Sequence, residues 1–500
     1  VTRLPRRLVL LAVAALTTTA CATGSTASTT AELVRYAAVG SAATASNDPH
    51  GGLGNESDAL RFALLYDVLT VAGPDGTTAP RLATAWEPDS TLTRWTITLR
   101  TDATFADGRK VRAADALFSL RRMQSKAAEN YGRMAMFDLD ASRALDESTV
   151  ELRTRSPFAA VPEALQSATF VVPEGTSDFS SPPPGSGPYR MTGGDPANAA
   201  LERNDAWWGP KPPTKRIEIR AVADPQARAD AVRSGQADVA GSVSPTAAAQ
   251  AESAGVQVLR RPAVTTYPVV MRLDQAPFDK PEVREAVKLA TDRKQLTDTV
   301  FGAYGKVGND LLTPGDPTSP RLPERNRDLD RARALMAQAG YAGGTSVTLH
   351  TTTAYPGMDS TATLLSAQLA EIGLKVAVQV DPPESFWTKT YAQAGFYVSY
   401  LGGIGFLDVS RIALRAASPT NETAWKNPSW ERDLDAALAE PDAAKRAGAL
   451  GALQTAVRDE GGYLVWGVGD GLDLARAGVS GLPTGPGFAR LFIDQVRITA

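Results

Sequence analysis

Cysteine and histidine are nearly absent from this 500-residue chain, which has one cysteine and two histidines. With a single thiol no intrachain disulfide can form, so a fold of this size rests on its hydrophobic core. His50 and His350 are too far apart in sequence to read as a metal-ligand pair. No H-E-x-x-H, C-x-x-C, G-x-S-x-G or G-x-x-x-x-G-K-[ST] pattern occurs, which removes the common metalloprotease, thiol-redox, serine-hydrolase and phosphate-loop chemistries. Beyond the first 20 residues no apolar run approaches the ~20 residues of a spanning helix. Basic surplus is lacking too: 52 Lys and Arg stand against 55 Asp and Glu, a net charge of −3. Loss of Arg3, Arg6 and Arg7 with a leader takes it to −6, which argues against nucleic acid as a partner.

The lone cysteine is informative by its place. Arg3, Arg6 and Arg7, an apolar run from Leu8 to Leu16 and small residues Thr18-Thr19-Ala20 precede Cys21. A charged start, an apolar stretch and small residues at the cut make an export signal. A thiol at the cut can carry diacylglycerol, and acyl chains contribute ~0.8 kcal/mol per buried methylene to anchoring. Residues 1–20 therefore read as a lipoprotein signal and Cys21 as the lipid attachment site. A chance cysteine after an ordinary secretory signal is the alternative. Arg6-Arg7 also leaves a twin-arginine export route open. Residues 21–31, small and polar, read as a tether.

With 43% apolar and 21% charged residues the remainder has globular composition, enough for about three structural units. Period-two alternation predicts strands at Trp95/Ile97/Leu99, Ile217/Ile219 and Leu374/Val376/Val378/Val380, each with one face toward a core. Asp279-Lys280-Pro281-Glu282 predicts a helix capped by Asp279 and running to about Thr291. Two more helices are predicted from about Asp328 to Gly340 and from about Ser360 to Gly373, the latter leading directly into the strand at Leu374. Helix, glycine stop and strand in succession indicate an α/β lobe. Pro182 to Pro188 must be irregular.

Several weak motifs then fall in one order: Asp48-Pro49; Leu65-Tyr66-Asp67-Val68-Leu69; Pro74-Asp75-Gly76; Pro80-Arg81-Leu82-Ala83 to Trp86; Phe105-Ala106-Asp107-Gly108; Ala114-Asp115-Ala116-Leu117-Phe118-Ser119-Leu120; Gly187-Pro188-Tyr189; Leu201 to Asp205 with Trp208-Gly209; Ser234 to Val239; Pro277-Phe278-Asp279; Val283-Arg284-Glu285-Ala286; and Thr291-Asp292-Arg293. Together they resemble the extracytoplasmic solute-binding proteins, family 5, which serve ABC importers of peptides, opines and nickel, over about Glu32 to Gly481. The resemblance implies a periplasmic-binding-protein-like α/β fold, with two lobes, hinge strands of the type II arrangement and an extra subdomain on the first lobe. Mapped here, the first lobe takes 32–60, 186–262 and 476–500, the extra subdomain 61–185 and the second lobe 263–475. The implied protein is a monomeric, lipid-anchored, extracytoplasmic receptor. It would use no cofactor or metal, catalyse no reaction, and hand a small-molecule or peptide ligand to ABC permease subunits.

The family segment W-x-x-D-Y-x-D-P is matched by Gly402-Gly403-Ile404-Gly405-Phe406-Leu407-Asp408-Val409, with glycine for the tryptophan and for the first acid. In peptide-binding members an acid here holds the peptide ammonium. Either Asp408 takes that role or the site accepts another amphipathic solute. The two glycines also leave room for a bulkier ligand. Asn47, His50, Tyr267, Trp387, Tyr400, Gly402, Gly403, Gly405, Asp408 and Trp425 are the candidate ligand-binding residues, each aromatic having core packing as its alternative and His50 an exposed loop. Oligopeptides or peptide-like solutes are the expected cargo. A non-peptide solute (opine, sugar or chelated metal) and a sensory or pheromone-binding receptor are the alternatives.

Overall fold

Three sheets organise the chain in its computed structural model, which describes residues 31–499 except 52–54, 74–76, 127–131, 167 and 486. The expected leader, Cys21 and tether residues 21–30 lie outside the described residues, as does Pro74-Asp75-Gly76.

The first sheet is built around strand Leu33–Ala38, paired in parallel with both Arg216–Ala221 and Val239–Ala240. Asn198–Arg203 and Tyr189–Asp195 extend it antiparallel on one side. Val34, Tyr36 and Ala38 alternate onto one face and bury against helix Glu56–Leu65, while Ala37 packs on the other face with helices Pro225–Arg233 and Pro245–Ser253. The second sheet runs Leu374–Asp381, Thr345–Thr352, Phe396–Val398, Val269–Met271, Tyr463–Leu464. Thr345–Thr352 pairs in parallel with both Leu374–Asp381 and Phe396–Val398, and helix Met358–Ala370 joins it to the former. A four-stranded antiparallel sheet, Ala83–Pro88, Arg94–Leu99, Thr149–Thr154, Phe137–Ala144, carries helix Ala113–Ser125 and forms the extra subdomain.

The lobes are joined by backbone that changes sheets. Strand Gln257–Thr266 lies in the first sheet and Val269–Met271 in the second. The return path mirrors it, with Tyr463–Leu464 in the second and Gly467–Ala475 in the first. These two crossings are neighbours, since Thr265 pairs with Gly469 and Val269 with Leu464. A third crossing takes the chain from Phe396–Val398 to Leu401–Gly402, which pairs with Thr265 and Thr266. Such short extended crossings can bend through a few φ/ψ angles without breaking either sheet.

Trp95, Ile97 and Leu99 are buried on one face of Arg94–Leu99, as are Ile217 and Ile219 on theirs. The Leu374–Asp381 strand departs from its pattern. It is the edge of its sheet, only Leu374 of its four alternating apolar residues is buried, and Val380 is 56% exposed. The N-cap of helix Pro281–Ala290 is Lys280, not Asp279, and its side chain makes no cap bond. Helix Leu329–Gln338 is capped as read, with Asp328 accepting from Arg331 N at 2.9 Å. Gly340 and Gly373, at φ +85° and +81°, occupy the left-handed region that ends a helix cheaply.

Two boundaries differ from the sequence reading. Gly467–Ala475 is hydrogen-bonded into the first sheet, before the expected border at 476. Helix Glu56–Leu65 packs whole into the first lobe's core, past the expected border at 60. Neither pairing leaves a local signal, because each is made with strands far away in sequence.

Candidate functional site

Parallel strands place the residues beyond their carboxyl ends in one crevice, and both lobes do so here. In the first lobe, Glu56 opens the helix after Leu33–Ala38, and Ser242 follows Val239–Ala240. In the second, Tyr355 follows Thr345–Thr352, and Trp387 lies on helix Pro383–Lys389 after Leu374–Asp381.

The first-lobe side is a buried cluster of charges. Glu56 Oε2 accepts from Ser242 Oγ and from Arg490 Nη1, both at 2.8 Å. Arg261 pairs with Asp473 between the two antiparallel hinge strands, and Asp473 Oδ1 also accepts from Ser242 N at 2.9 Å. Arg228 donates to the carbonyls of Gly241, Val222, Ala223 and Ser242. Burial alone would push the Glu56 carboxyl up; the Arg490, Ser242 and Arg261 contacts outweigh it and hold the group below its ordinary value. A side chain at Gly241 would collide with Glu56 Oε1, so glycine there makes room for the carboxylate.

The second-lobe side is aromatic. Tyr355 and Tyr400 stack at 3.8 Å between centroids and 9°, and Trp387 stands edge-on to Tyr355 at 6.2 Å. Tyr400 and Tyr267 sit on two of the sheet-changing crossings, 6.1 Å apart. Tyr267 donates to Pro356 O at 2.8 Å and stacks on Phe301, which stacks in turn on Trp466 of the return crossing between Tyr463–Leu464 and Gly467–Ala475. Burial raises the Tyr400 hydroxyl, opposed by Arg490 and Arg261 and reinforced by Glu56, so this end of the aromatic wall lies within electrostatic reach of the charged cluster.

The glycines of the Gly402–Asp408 segment have separate reasons. A side chain at Gly402 would strike the Tyr400 hydroxyl. Gly403 is at φ +57° and donates to Val264 O at 2.6 Å. At Gly405 a Cβ would lie 2.8 Å from Asp316 Oδ2, and that carboxylate accepts from Phe406 N at 2.8 Å. The place of the acid expected at position 405 is therefore filled by an acid from another loop. Asp408 pairs with Arg411, whose Nη1 reaches Arg133 O of the extra subdomain at 2.9 Å. Two further contacts bridge the subdomain and second lobe: Ala159 N to Leu438 O at 2.7 Å, and Arg446 to Glu163 at 3.3 Å.

Three candidates lie apart from this group. His50 is fully buried, with Nε2 against Phe170 O at 2.8 Å and Nδ1 against Arg122 at 3.1 Å; burial lowers its pKa to about 4. It pins the loop after the first strand. Asn47 bridges Arg61 and Ser180 O. Trp425 packs on Trp430 at 5.3 Å inside the second lobe. Conversely, Glu56, Arg490, Tyr355 and Asp316 were not singled out from sequence. Glu56 reads as one more acid in a helix's first turn, and Arg490 lies just after a Pro/Gly-rich stretch with no motif.

The motif residues converge elsewhere, on one buried carboxylate. Asp67 pairs with Arg81 at 2.9 Å and accepts from Trp207 Nε1 at 3.0 Å and Trp208 Nε1 at 2.6 Å. Desolvation raises its pKa against these partners. These four residues thus tie the first lobe to the extra subdomain.

Two sheet-linked lobes facing one another across a crevice define a hinged binding protein. Known proteins agree with this. The pattern for Bacterial extracellular solute-binding proteins, family 5 Middle, matches residues 77–421, and the chain belongs to that family. It is 26% identical over 398 residues to Protein XP55 of Streptomyces lividans, covering 74% of this chain and 72% of that protein. It is also 26% identical to the glutathione-binding protein GsiB of Salmonella typhimurium, covering 69% and 71%. Among solved structures, the fold matches the binding protein AgaA of A. tumefaciens R10, in complex with agropinic acid, with TM-score 0.81 at 23% identity over 93% of this chain and 98% of that one. It also matches DppA of Helicobacter pylori, in complex with the peptide STSA, with TM-score 0.79 at 20% identity over 94% and 98%. DppA is named as an ABC transporter-associated periplasmic binding protein. Among the described residues no helix is long and apolar enough to cross a membrane.

Proposed function

We propose that this chain is the extracytoplasmic receptor of an ABC importer for oligopeptides or peptide-like solutes, anchored through Cys21, acting as a monomer and passing its cargo to a permease. The observation that carries the reading is the opposition of a stacked aromatic wall, Tyr355, Tyr400 and Trp387, to a buried cluster holding both signs of charge, Glu56, Asp473, Arg261 and Arg490. A peptide presents the matching chemistry, with charged or amide groups along a backbone and planes that stack. Ligand contacts made to both walls exist only when the lobes are together, so binding shifts the population to the closed form. Glutathione and a peptide, named with two of the relatives, are of the same chemical kind.

Native mass spectrometry of the gently purified chain, followed by denaturation to release its cargo, tests this. A mixture of peptides is expected. A single non-peptide mass would redirect the assignment to an opine, sugar or chelate, and an empty protein whose melting point ignores peptides would contradict it.

A further inference from the structure

Glu56 is 7% exposed, yet only one of its carboxylate oxygens is satisfied. Oε2 holds Ser242 and Arg490; Oε1 has no hydrogen-bond partner among the described residues. A buried carboxylate oxygen without a donor is costly, and Gly241 is what admits it, since a Cβ there would collide with that oxygen.

Arg490 is the complementary half. Its Nη1 is engaged by Glu56, while the side chain as a whole is a third exposed and the guanidinium has no other hydrogen-bond partner among the described residues. It can still donate from Nε and Nη2. Arg228, Arg261 and Arg490 stand against Glu56, Asp473 and Asp224, so the cluster is balanced in charge and suits a head group carrying both a donor and an acceptor. Arg228 is consumed by four carbonyls, and Arg261 gives both terminal nitrogens to Asp473 and keeps only a buried Nε unpartnered among the described residues, so Arg490 is the arginine with terminal donor capacity to spare. Both residues lie within electrostatic reach of Tyr400, whose hydroxyl is raised by burial, lowered by Arg490 and raised by Glu56. Asp408, the acid expected to hold an ammonium, is paired with Arg411 instead.

We propose that Glu56 and Arg490 together read an α-aminoacyl head group, the ammonium donating to Glu56 Oε1 and the neighbouring carbonyl or carboxylate oxygen accepting from the open edge of Arg490. Ammonium and carbonyl carbon sit on one carbon of such a head, and the two protein groups are themselves hydrogen-bonded at 2.8 Å, so one small head can span them. The aromatic wall covers the rest of the solute beyond that head. This names the recognised end of the solute and rests on the proposal that the cargo is peptide-like.

The test compares tri-alanine with N-acetyl-tri-alanine by calorimetry on the full chain and on Glu56→Gln. Acetylation is expected to weaken binding to the unaltered chain about tenfold or more, the worth of a charged hydrogen bond, and Glu56→Gln to bring the two probes level by weakening tri-alanine alone. Equal binding of both probes by the unaltered chain, or discrimination that persists in Glu56→Gln, overturns the anchor and leaves the peptide reading standing. If Glu56→Gln does not fold, the acetylation comparison on the unaltered chain decides alone. If the unaltered chain binds neither probe, the peptide reading fails and the anchor is judged on the co-purified solute. A solute with an amine that reacts with an N-hydroxysuccinimide ester, lost in Glu56→Gln, supports it; an amine-free solute, one carried equally by both proteins, or an empty chain overturns it.

Discussion

Gly405 and Asp316 share one volume: the position a Cβ would take at 405 lies 2.8 Å from Asp316 Oδ2. The carboxylate is held there by Phe406 N at 2.8 Å and, through Oδ1, by Thr318 N at 2.7 Å. Gly405→Asp therefore introduces both a steric clash and a second carboxylate. It is expected to cost about 1–3 kcal/mol of stability, and Asp316→Gly in the same chain should recover part of that. Urea denaturation of the two single variants and the double checks the coupling; strictly additive losses would mean that the residues do not compete.

Asp67 is a second specific commitment. Its carboxylate is buried and held by Arg81, Trp207 and Trp208. Asp67→Asn strands the Arg81 charge and is expected to destabilise by about 3–5 kcal/mol. A melting point unchanged from the parent chain would contradict this.

Glu422 supplies a pH dependence with a definite sign. It lies inside the second lobe, accepts from Tyr391 and Tyr397 at 3.3 and 3.2 Å, and burial pushes its carboxyl up to about 7. Between its unfolded value near 4.5 and about 7, the folded chain keeps a proton that the unfolded chain releases, so this group makes stability fall as pH rises through that window. Glu422→Gln is expected to remove that slope, so that its stability relative to the parent rises by about 3 kcal/mol from about pH 4.5 to about 7.5. Parallel stability curves for parent and variant would contradict the assignment.

Much of this fold is written locally. Ile217 and Ile219 alternate onto one face because the period of a strand is two, and Gly373 stops a helix because φ +81° costs glycine little. The Leu374–Asp381 pattern misled because alternation says which residues share a face and not whether anything covers it; at a sheet edge Val380 stays open. Asp67, Arg81 and Trp208 of the family motifs meet at the Asp67 carboxylate, yet nothing local shows that Trp207 donates to it from 140 positions away. The site was harder still. Glu56 and Arg490 are 434 positions apart, and Asp316 reaches the Gly405 segment across 90. Such pairs exist only once the sheets are assembled, so the sequence yielded the aromatic hinge residues Tyr267 and Tyr400 and missed the charged partners opposite them.

The contacts that bridge the cleft away from the hinge include Arg446 to Glu163 and Arg411 to Arg133 O. Arg446→Ala with Arg411→Ala should loosen the closed form while sparing the ligand walls. A weaker affinity, roughly two- to tenfold, with an unchanged melting point is expected; unchanged affinity would show that these bridges do not favour closure.

Closure on a solute about three sheet-changing crossings is the central claim, and small-angle X-ray scattering of the full chain with and without its peptide cargo tests it most directly. The account predicts a smaller radius of gyration on loading and a loaded curve matching the arrangement in which Arg446 and Arg411 bridge the second lobe to the extra subdomain. Identical curves with and without a peptide that calorimetry shows to be bound would contradict it.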